Sequence, residues 1–143
     1  MKINPKFSAA VVFDEKGRVL LCRRATYKKI APNMWHLPGG TIESDETAVD
    51  TIKRELLEEL GLNAVAVLPT DAMLNYQIGS DSFQTLVFYV EVSNKPTIMN
   101  EENSALEFVN PREIANYIES SLVEDNTHAI KFAARVRQTR KKK

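Results

Sequence analysis

The segment GGTIESDETAVDTIKRELLEELGL, from Gly39 to Leu62, constrains the fold more than any other part of the chain. Thr47 can cap the N-terminus of a helix, Asp50 can complete a capping box, and Gly61 can provide a left-handed stop. At about 100° per residue, four apolar side chains fall on one stripe of such a helix: Val49, Ile52, Leu56 and Leu60. The sequence therefore predicts an amphipathic helix over about 48–60.

The same helix carries Glu55, Glu58 and Glu59 on an arc about 100° wide beside the apolar stripe. Like charges at these spacings repel one another, and partly buried carboxylates are driven toward protonation unless a cation compensates for them. Oxygen-only ligands favour Mg²⁺, for which Mn²⁺ can substitute. Arg54 can pair with Glu58, four residues on, and orient the acids. Taken alone, the helix also allows a plain solvated acidic face.

The spacing around this helix is specific. From Gly40 to Leu62 the chain reads G-x5-E-x7-R-E-U-x-E-E-x-G-U without a mismatch, where U is a bulky aliphatic residue. This pattern resembles the signature of the Nudix hydrolase family. The preceding WHLPGG and the order of strands and helices are also similar, so the resemblance spans nearly the whole chain. It implies a single Nudix domain over residues 1–143, folded as an α/β/α sandwich around a mixed β-sheet.

The resemblance also implies an activity, that of a metal-dependent hydrolase. Such an enzyme cleaves the diphosphate linkage of a nucleoside diphosphate derivative, here a nucleoside triphosphate or a nucleotide sugar. It makes Glu58 and Glu59 the principal metal ligands and Glu55 a further ligand or the general base, while Glu46 and Arg54 hold the loop and the helix together. The metal site implied in this way comprises Gly40, through its backbone carbonyl, with Glu55, Glu58, Glu59 and Glu102.

Glu102 enters this set because many family members take one more acid from a loop after the last long strand. The segment NEEN at 100–103 lies in that place. Glu102 is favoured over Glu101 because it lies six residues before Phe108, which resembles the aromatic residue that begins the following strand. Glu107 is a third candidate, and an ordinary acidic surface loop is the alternative.

Substrate-binding candidates follow the second predicted strand. Arg23 and Arg24 have the guanidinium groups that suit phosphates, and Tyr27 could stack on a base. Surface roles are equally open for all three. Trp35 is more typical of a packing anchor. The signature does not choose among the substrates of the family.

Composition narrows the partners and the compartment. The chain has 143 residues, 43% of them hydrophobic, which suits one domain with its own core. Its 19 basic and 19 acidic residues cancel, so no general attraction to nucleic acid or to an anionic membrane is expected. We expect a nucleotide-type small molecule as partner and leave a homodimer open. The single Cys22 fits a reducing, cytoplasmic location. Residues from about 139 to 143 are expected to form a basic, frayed tail.

The remaining elements are two hairpins and two helices. FSAAVVF and RVLLCRR are predicted to pair across a turn at DEKG, and residues around 73–78 are predicted to pair with 83–92 through GSDS. A helix is expected from Pro111, and a final one from about Asn126 to Arg137.

The same resemblance allows two alternative functions. One is a nucleotide sensor that binds without turnover, against which the intact acid set argues. The other is an isomerase acting on isopentenyl diphosphate. That chemistry would need a cysteine in a pocket loop, whereas Cys22 lies in a predicted strand.

Overall fold

A computed structural model describes residues 5–28, 32–78 and 80–141. The strands are β1 (Pro5–Val11), β2 (Val19–Arg24), β3 (Trp35–His36), β4 (Gly39–Thr41), β5 (Ala64–Ile78), β6 (Asp81–Val92) and β7 (Asn103–Val109). The α-helices are α1 (Ala48–Leu60) and α2 (Val123–Lys141), and short 3₁₀ helices cover Pro111–Asn116 and Ser120–Leu122.

The strands form two sheets. The larger has the order β4-β1-β6-β5, in which β1 and β6 run parallel and the other pairs antiparallel. The smaller has the order β3-β2-β7 and is antiparallel. This arrangement confirms a single α/β domain with a mixed sheet.

Both faces of the central strands are buried, which explains their nearly continuous apolar runs. In β2, Leu20 and Cys22 pack under α1, whereas Val19 and Leu21 pack under α2. The α1 side is completed by Ile52, Leu56, Leu60, Phe88 and Val90, and the α2 side by Val11, Val87, Ala129, Ile130 and Ala133. One helix therefore covers each face, as the predicted α/β/α sandwich requires.

Helix α1 begins and ends where its sequence predicts. The Thr47 hydroxyl accepts from the Asp50 amide and the Asp50 carboxylate accepts from the Thr47 amide, each at 3.1 Å. Gly61 ends the helix with φ of 62°. The side chains of Ile52, Leu56 and Leu60 are fully buried, and each stabilises the fold by about 1.5–3 kcal/mol. These contacts fix the acid-bearing side of α1 against the sheets.

The first predicted hairpin is only partly correct. Asp14 and Arg18 close the turn, but the ladder stops after the Phe13–Val19 bridge. Beyond that point β1 and β2 enter different sheets, because each strand finds partners on both of its edges. The second hairpin is confirmed, although β5 begins much earlier, at Ala64.

The C-terminal region differs from expectation. The segment from Pro111 forms two 3₁₀ helices rather than an α-helix. Helix α2 continues to Lys141, so the expected frayed tail is wrong for residues 139–141, and residues 142–143 lie outside the described part. Two nitrogens of Arg140 contact Glu91 at 2.7 and 2.9 Å, which holds the last turns against β6. No helix in the described ranges is long and apolar enough to cross a membrane.

Candidate metal and catalytic site

The glycine pair of β4 brings the backbone directly against α1. A β-carbon added to Gly40 would lie 2.4 Å from Cδ of Glu55, and one added to Gly39 would lie 2.0 Å from the Ser8 carbonyl oxygen. Such distances are far below van der Waals contact, so both positions need glycine. The result is a glycine strand wedged between β1 and the Glu55 carboxyl group.

Arg54 connects the preceding loop to the acids of α1. Its Nη2 and Nε donate to the two carboxylate oxygens of Glu46 at 2.6 and 3.1 Å, and Nη2 also donates to the Thr41 carbonyl at 3.2 Å. Nη1 donates to Glu55 at 2.7 Å and, more weakly, to Glu58 at 3.4 Å. The hydrogen bonds from Arg54 lower the pKa of Glu46 to about 2. Arg54 therefore fixes the loop and the Glu55 carboxylate as one unit.

Glu59 is a half-buried acid of the helix cluster. Burial, followed by hydrogen bonding to Glu55 and the charges of Glu55 and Glu102, raises the pKa of Glu59 to about 9. The Asn103 amide donates to Glu59 at 3.4 Å. The charged form of Glu59 is therefore disfavoured in the absence of a further cation.

Glu102 faces the same cluster from the loop before β7. Its carboxylate forms an ion pair with Nζ of Lys28, and its charge acts on Glu59. Glu107 lies within β7, exposed, with its carboxylate acting on Tyr117. The expectation that Phe108 begins the following strand was wrong, because β7 begins at Asn103 and Phe108 lies near its end. The place of Glu102 beside the acids depends instead on the loop itself.

Lys28 is a residue that sequence reasoning missed. It follows Tyr27 in a turn whose backbone meets the Glu102 loop, since the Ala25 amide donates to the Glu102 carbonyl at 3.0 Å. The Tyr27 hydroxyl donates to the Glu101 carbonyl at 2.7 Å. The only sequence signal was a lysine pair after the two arginines, and nothing in it indicates contact with residues more than 70 positions away.

The three predicted substrate residues have different partners. Arg23 donates to the Ser104 hydroxyl at 2.9 Å and stacks over the Trp35 ring at 5.9 Å. The Arg24 charge acts on His36. Tyr27 is 60% exposed as a whole residue, but its hydroxyl donates to the loop backbone. Trp35 packs edge-on against Tyr117 at 5.3 Å between ring centres, as an anchor does.

His36 and Cys22 lie as neighbours across β2 and β3. Nδ1 of His36 lies 2.8 Å from the Leu37 carbonyl, and Nε2 is buried without a hydrogen-bond partner within the described ranges. Burial is the main cause that lowers the pKa of His36, and burial raises the pKa of the Cys22 thiol. Both side chains are therefore neutral and structural in this setting.

The donor set fits a hard divalent cation. Glu55, Glu59 and Glu102 offer only carboxylate oxygens, and burial disfavours the charged form of Glu59. Over residues 5–28, 32–78 and 80–141, no group of three or more acid, histidine or cysteine side chains is arranged so that it could hold a metal ion. Arg54 and Lys28 supply the positive charge that a metal ion would otherwise provide.

The chain is similar to known proteins in sequence and in fold. The nucleoside triphosphatase NudI of Escherichia fergusonii is 27% identical over 116 residues, covering 74% of this chain and 82% of the relative. The mRNA hydrolase NUDT17 of Danio rerio, described as acting on m7GpppN-mRNA, is 52% identical over 55 residues, covering 38% of this chain and 18% of that protein. The crystal structure of a MutT protein from Methanosarcina mazei superposes with a TM-score of 0.77 at 20% identity, covering 95% of this chain and 99% of that one.

The family model of the NUDIX domain matches residues 4–131. The chain therefore belongs to the NUDIX domain family and is an enzyme of the Nudix pyrophosphohydrolase type. Enzymes of this family are generally metal-dependent and act on nucleotide-type substrates.

Proposed function

We propose that this enzyme hydrolyses nucleoside triphosphates to nucleoside monophosphates and pyrophosphate, with Mg²⁺ as cofactor and Mn²⁺ as a substitute. The observation that carries the proposal is the half-buried Glu59 carboxyl group, which lies beside Glu55 and within the field of Glu102, while Glu55 itself packs against Gly40. A site of this kind attracts a divalent cation and, through it, phosphate oxygens. The similarity to NudI, a nucleoside triphosphatase matched over 82% of its length, supports triphosphates rather than nucleotide sugars as the substrates of this chain.

In this proposal the ligands are Gly40, through its carbonyl, with Glu55, Glu58, Glu59 and Glu102. Glu59 and Glu55 form the inner part of the set because they are the more enclosed. Glu58 is 58% exposed at its side chain and held only weakly by Arg54, so it can turn toward an incoming ion. When bound, Mg²⁺ would neutralise phosphate oxygens and lower the pKa of a coordinated water.

The chain's own residues then move one proton. Water adds to the α-phosphorus, and the bond from that phosphorus to the oxygen that bridges it to the β-phosphorus breaks. The pyrophosphate group leaves with the bonding electrons. The proton of the water passes to a carboxylate, for which Glu55 and Glu102 are the two candidates. Arg54 orients Glu55 through the bond at 2.7 Å, and Lys28 holds Glu102.

The remaining groups would bind the substrate. Arg23 and Arg24 supply guanidinium groups for phosphate oxygens. Tyr27, with its ring exposed, supplies a surface on which a base can stack. Lys28 adds a fourth contact, because a cation that pairs with Glu102 lies within reach of a phosphate bound at the same acids.

The isomerase alternative is disfavoured by the environment of its only thiol. Cys22 is fully buried in β2, between α1 and the sheet, and burial raises its pKa. A thiol in that setting neither reaches a substrate nor forms a thiolate. The same free cysteine suits the reducing cytoplasm that we propose as the location.

The test is product release from a panel of nucleoside triphosphates and nucleotide sugars with Mg²⁺. We expect pyrophosphate and a monophosphate from at least one triphosphate, no turnover in excess EDTA, and loss of activity in Glu59→Gln. Release of inorganic phosphate alone, faster turnover of nucleotide sugars, or full activity in EDTA would each contradict the proposal.

A further inference from the structure

A single segment of the chain ties the end of α1 to the loop that carries Glu102. We call residues 97–102 the strap. The Thr97 amide donates to the Leu60 carbonyl and the Met99 amide donates to the Glu59 carbonyl, both at 2.9 Å. These are two of the carbonyls that the end of a helix leaves without intrahelical partners. The strap is therefore in register with the helix turn that carries the metal-site acids.

Asn100 makes the next contact in that register. Its Nδ2 lies 3.4 Å from the Glu58 carbonyl, and its Oδ1 accepts from the Glu102 amide at 3.0 Å. The Glu102 carbonyl in turn accepts from the Ala25 amide at 3.0 Å. Both backbone groups of Glu102 are thus occupied, one by Asn100 and one by the turn after β2.

We propose that Asn100 is a positioning residue, which sets the Glu102 carboxylate against the acids of α1 by bridging the helix and the loop. The proposal rests on the role given to Glu102 under the proposed function. Its physical reason is that a displacement of about 1 Å in a positioned group can cost roughly a hundredfold in rate. A loop whose amide has lost its partner is free to make such a displacement.

Asn94 offers a matched control at the same end of α1. Its Nδ2 donates to the Gly61 carbonyl at 2.7 Å, and its Oδ1 accepts from the Asn63 amide at 2.9 Å. Asn94 and Asn100 therefore both bridge a carbonyl and an amide with one exposed side-chain amide. Only Asn100 reaches Glu102, so a difference between the two alanine variants reports on that connection.

The experiment is a double-mutant cycle on the full chain with Asn100→Ala, Glu102→Gln and the combined variant, beside Asn94→Ala. Turnover of the best triphosphate, Mn²⁺ affinity from the free-ion EPR signal, and the melting temperature are measured for each. We expect Asn100→Ala to lower kcat by about tenfold, which is less than the roughly hundredfold or more that a positioned acid or base contributes, with little change in KM. We expect it to weaken Mn²⁺ binding while Asn94→Ala does not, and both alanine variants to melt at similar temperatures. The combined variant should be no slower than Glu102→Gln.

Three outcomes would overturn the inference. The first is an Asn100→Ala variant with the kcat and Mn²⁺ affinity of Asn94→Ala. The second is losses that multiply in the combined variant, which would mean that Asn100 does not act through Glu102. The third is a Glu102→Gln variant with wild-type values.

Two contingencies have their own measurements. If the wild-type protein turns over no nucleotide, the proposed function fails, and the Mn²⁺ cycle alone decides the inference. If Asn100→Ala does not fold, Asn100→Asp takes its place, because it keeps the acceptor for the Glu102 amide and loses the donor to the Glu58 carbonyl. Asn100→Asp should then keep a larger part of kcat than Glu102→Gln, and a kcat equal to or below that of Glu102→Gln would overturn the inference.

Discussion

Gly40 stands so close to Glu55 that a single added methyl group would overlap the Glu55 carboxyl group, with 2.4 Å between the new β-carbon and Cδ. The glycine strand and the acid helix are therefore fitted to one another through these two residues. Because Nη1 of Arg54 donates to the Oε1 atom of the same carboxylate at 2.7 Å, Glu55 has little room to withdraw without breaking that ion pair.

The first prediction is that Gly40→Ala abolishes most of the activity while the protein still folds. The methyl group should push Glu55 away from Arg54 and Glu59, and a misplaced ligand of this kind lowers kcat by roughly a hundredfold. Gly17→Ala is the control. It strains a turn with φ of +78° and meets only Arg137, far along the chain from the acids, so it should lower the melting temperature and leave kcat unchanged. Equal rates for the two variants would contradict this interpretation.

The second prediction concerns the ion pair between Lys28 and Glu102. Lys28 supplies a positive charge where a metal ion would bind, so Lys28→Met should tighten Mn²⁺ binding in the absence of nucleotide. Because Lys28 is also proposed to contact the substrate phosphates, the KM of the same variant should rise. Titration calorimetry and steady-state kinetics measure the two effects separately. Lys53→Met, on an exposed position of α1, should change neither value.

An unchanged or weaker Mn²⁺ affinity in Lys28→Met would remove Lys28 from the metal site. A tighter Mn²⁺ affinity with an unchanged KM would support competition between Lys28 and the metal ion. It would contradict the contact between Lys28 and the substrate phosphates. The sign of the affinity change is informative, because simple loss of structure would weaken binding.

The third prediction is that Glu58→Gln costs far more in turnover than in stability. Glu58 is exposed and its contact with Arg54 is long, at 3.4 Å, so its removal should shift the melting temperature little. Its charge is proposed to help hold the metal where charge develops during reaction. The measurement compares kcat over a range of Mg²⁺ concentrations with thermal unfolding. Near-normal turnover at modest Mg²⁺, or failure to fold, would assign Glu58 a structural role.

The sequence determined α1 completely because every signal for it is local. The cap, the apolar stripe and the stop all lie within Thr47 to Gly61, and the helix needs no distant partner to begin or end. The same is true of the Arg54 contacts, since Glu46, Glu55 and Glu58 are all within eight positions of it in the chain.

The long strand β5 was harder to predict because its interior contains residues that usually interrupt strands. Pro69 and Asp71 lie where the pairing with β6 shifts register, and Asp71 has φ of 64°. A bulge accommodates both residues, and the strand continues beyond it. Read locally, those residues mark a loop, so only the later half was predicted.

The Glu102 side of the site depends on contacts between distant segments. Lys28, Tyr27 and Ala25 meet the 101–102 loop across more than 70 residues, and no spacing pattern in the sequence encodes such a meeting. The sequence could therefore nominate Glu102 only by resemblance. It could not indicate Lys28 or the Asn100 bridge.

The fourth prediction concerns pH and the attachment of α2. Hydrogen bonding to Arg140 is the main cause that lowers the pKa of Glu91 from its ordinary value of 4.5. The folded state thus prefers the charged form, so the pair stabilises the fold above about pH 4.5, and this contribution disappears as the pH falls through the lowered folded value. The Tyr89 hydroxyl, which donates to Glu91 at 2.8 Å, has its pKa raised to about 12 and does not titrate in this window.

The stability difference between wild type and Glu91→Gln should therefore be constant near neutral pH and shrink on acidification below about 4.5. Chemical denaturation at a series of pH values measures it. Arg140→Gln should lose the same pH-dependent part, since it removes the other partner. A difference that persists unchanged at the acid end would mean that Glu91 stabilises the fold by packing rather than by charge.

The last prediction separates the three loop acids. Glu102→Gln should lower kcat by roughly a hundredfold to ten-thousandfold, the usual range for a positioned acid or base. Glu101 contributes a backbone carbonyl to Tyr27, so Glu101→Gln should change little. Glu107 lies within β7, its charge acts on Tyr117, and it serves as the control for a strand acid. If all three variants keep wild-type rates while Glu55→Gln is inactive, Glu55 is the general base and the loop acid is not needed. If Glu101→Gln alone is slow, the metal interpretation stands with its last ligand moved by one residue to Glu101. Lys28 would then pair with an acid that takes no part in the reaction.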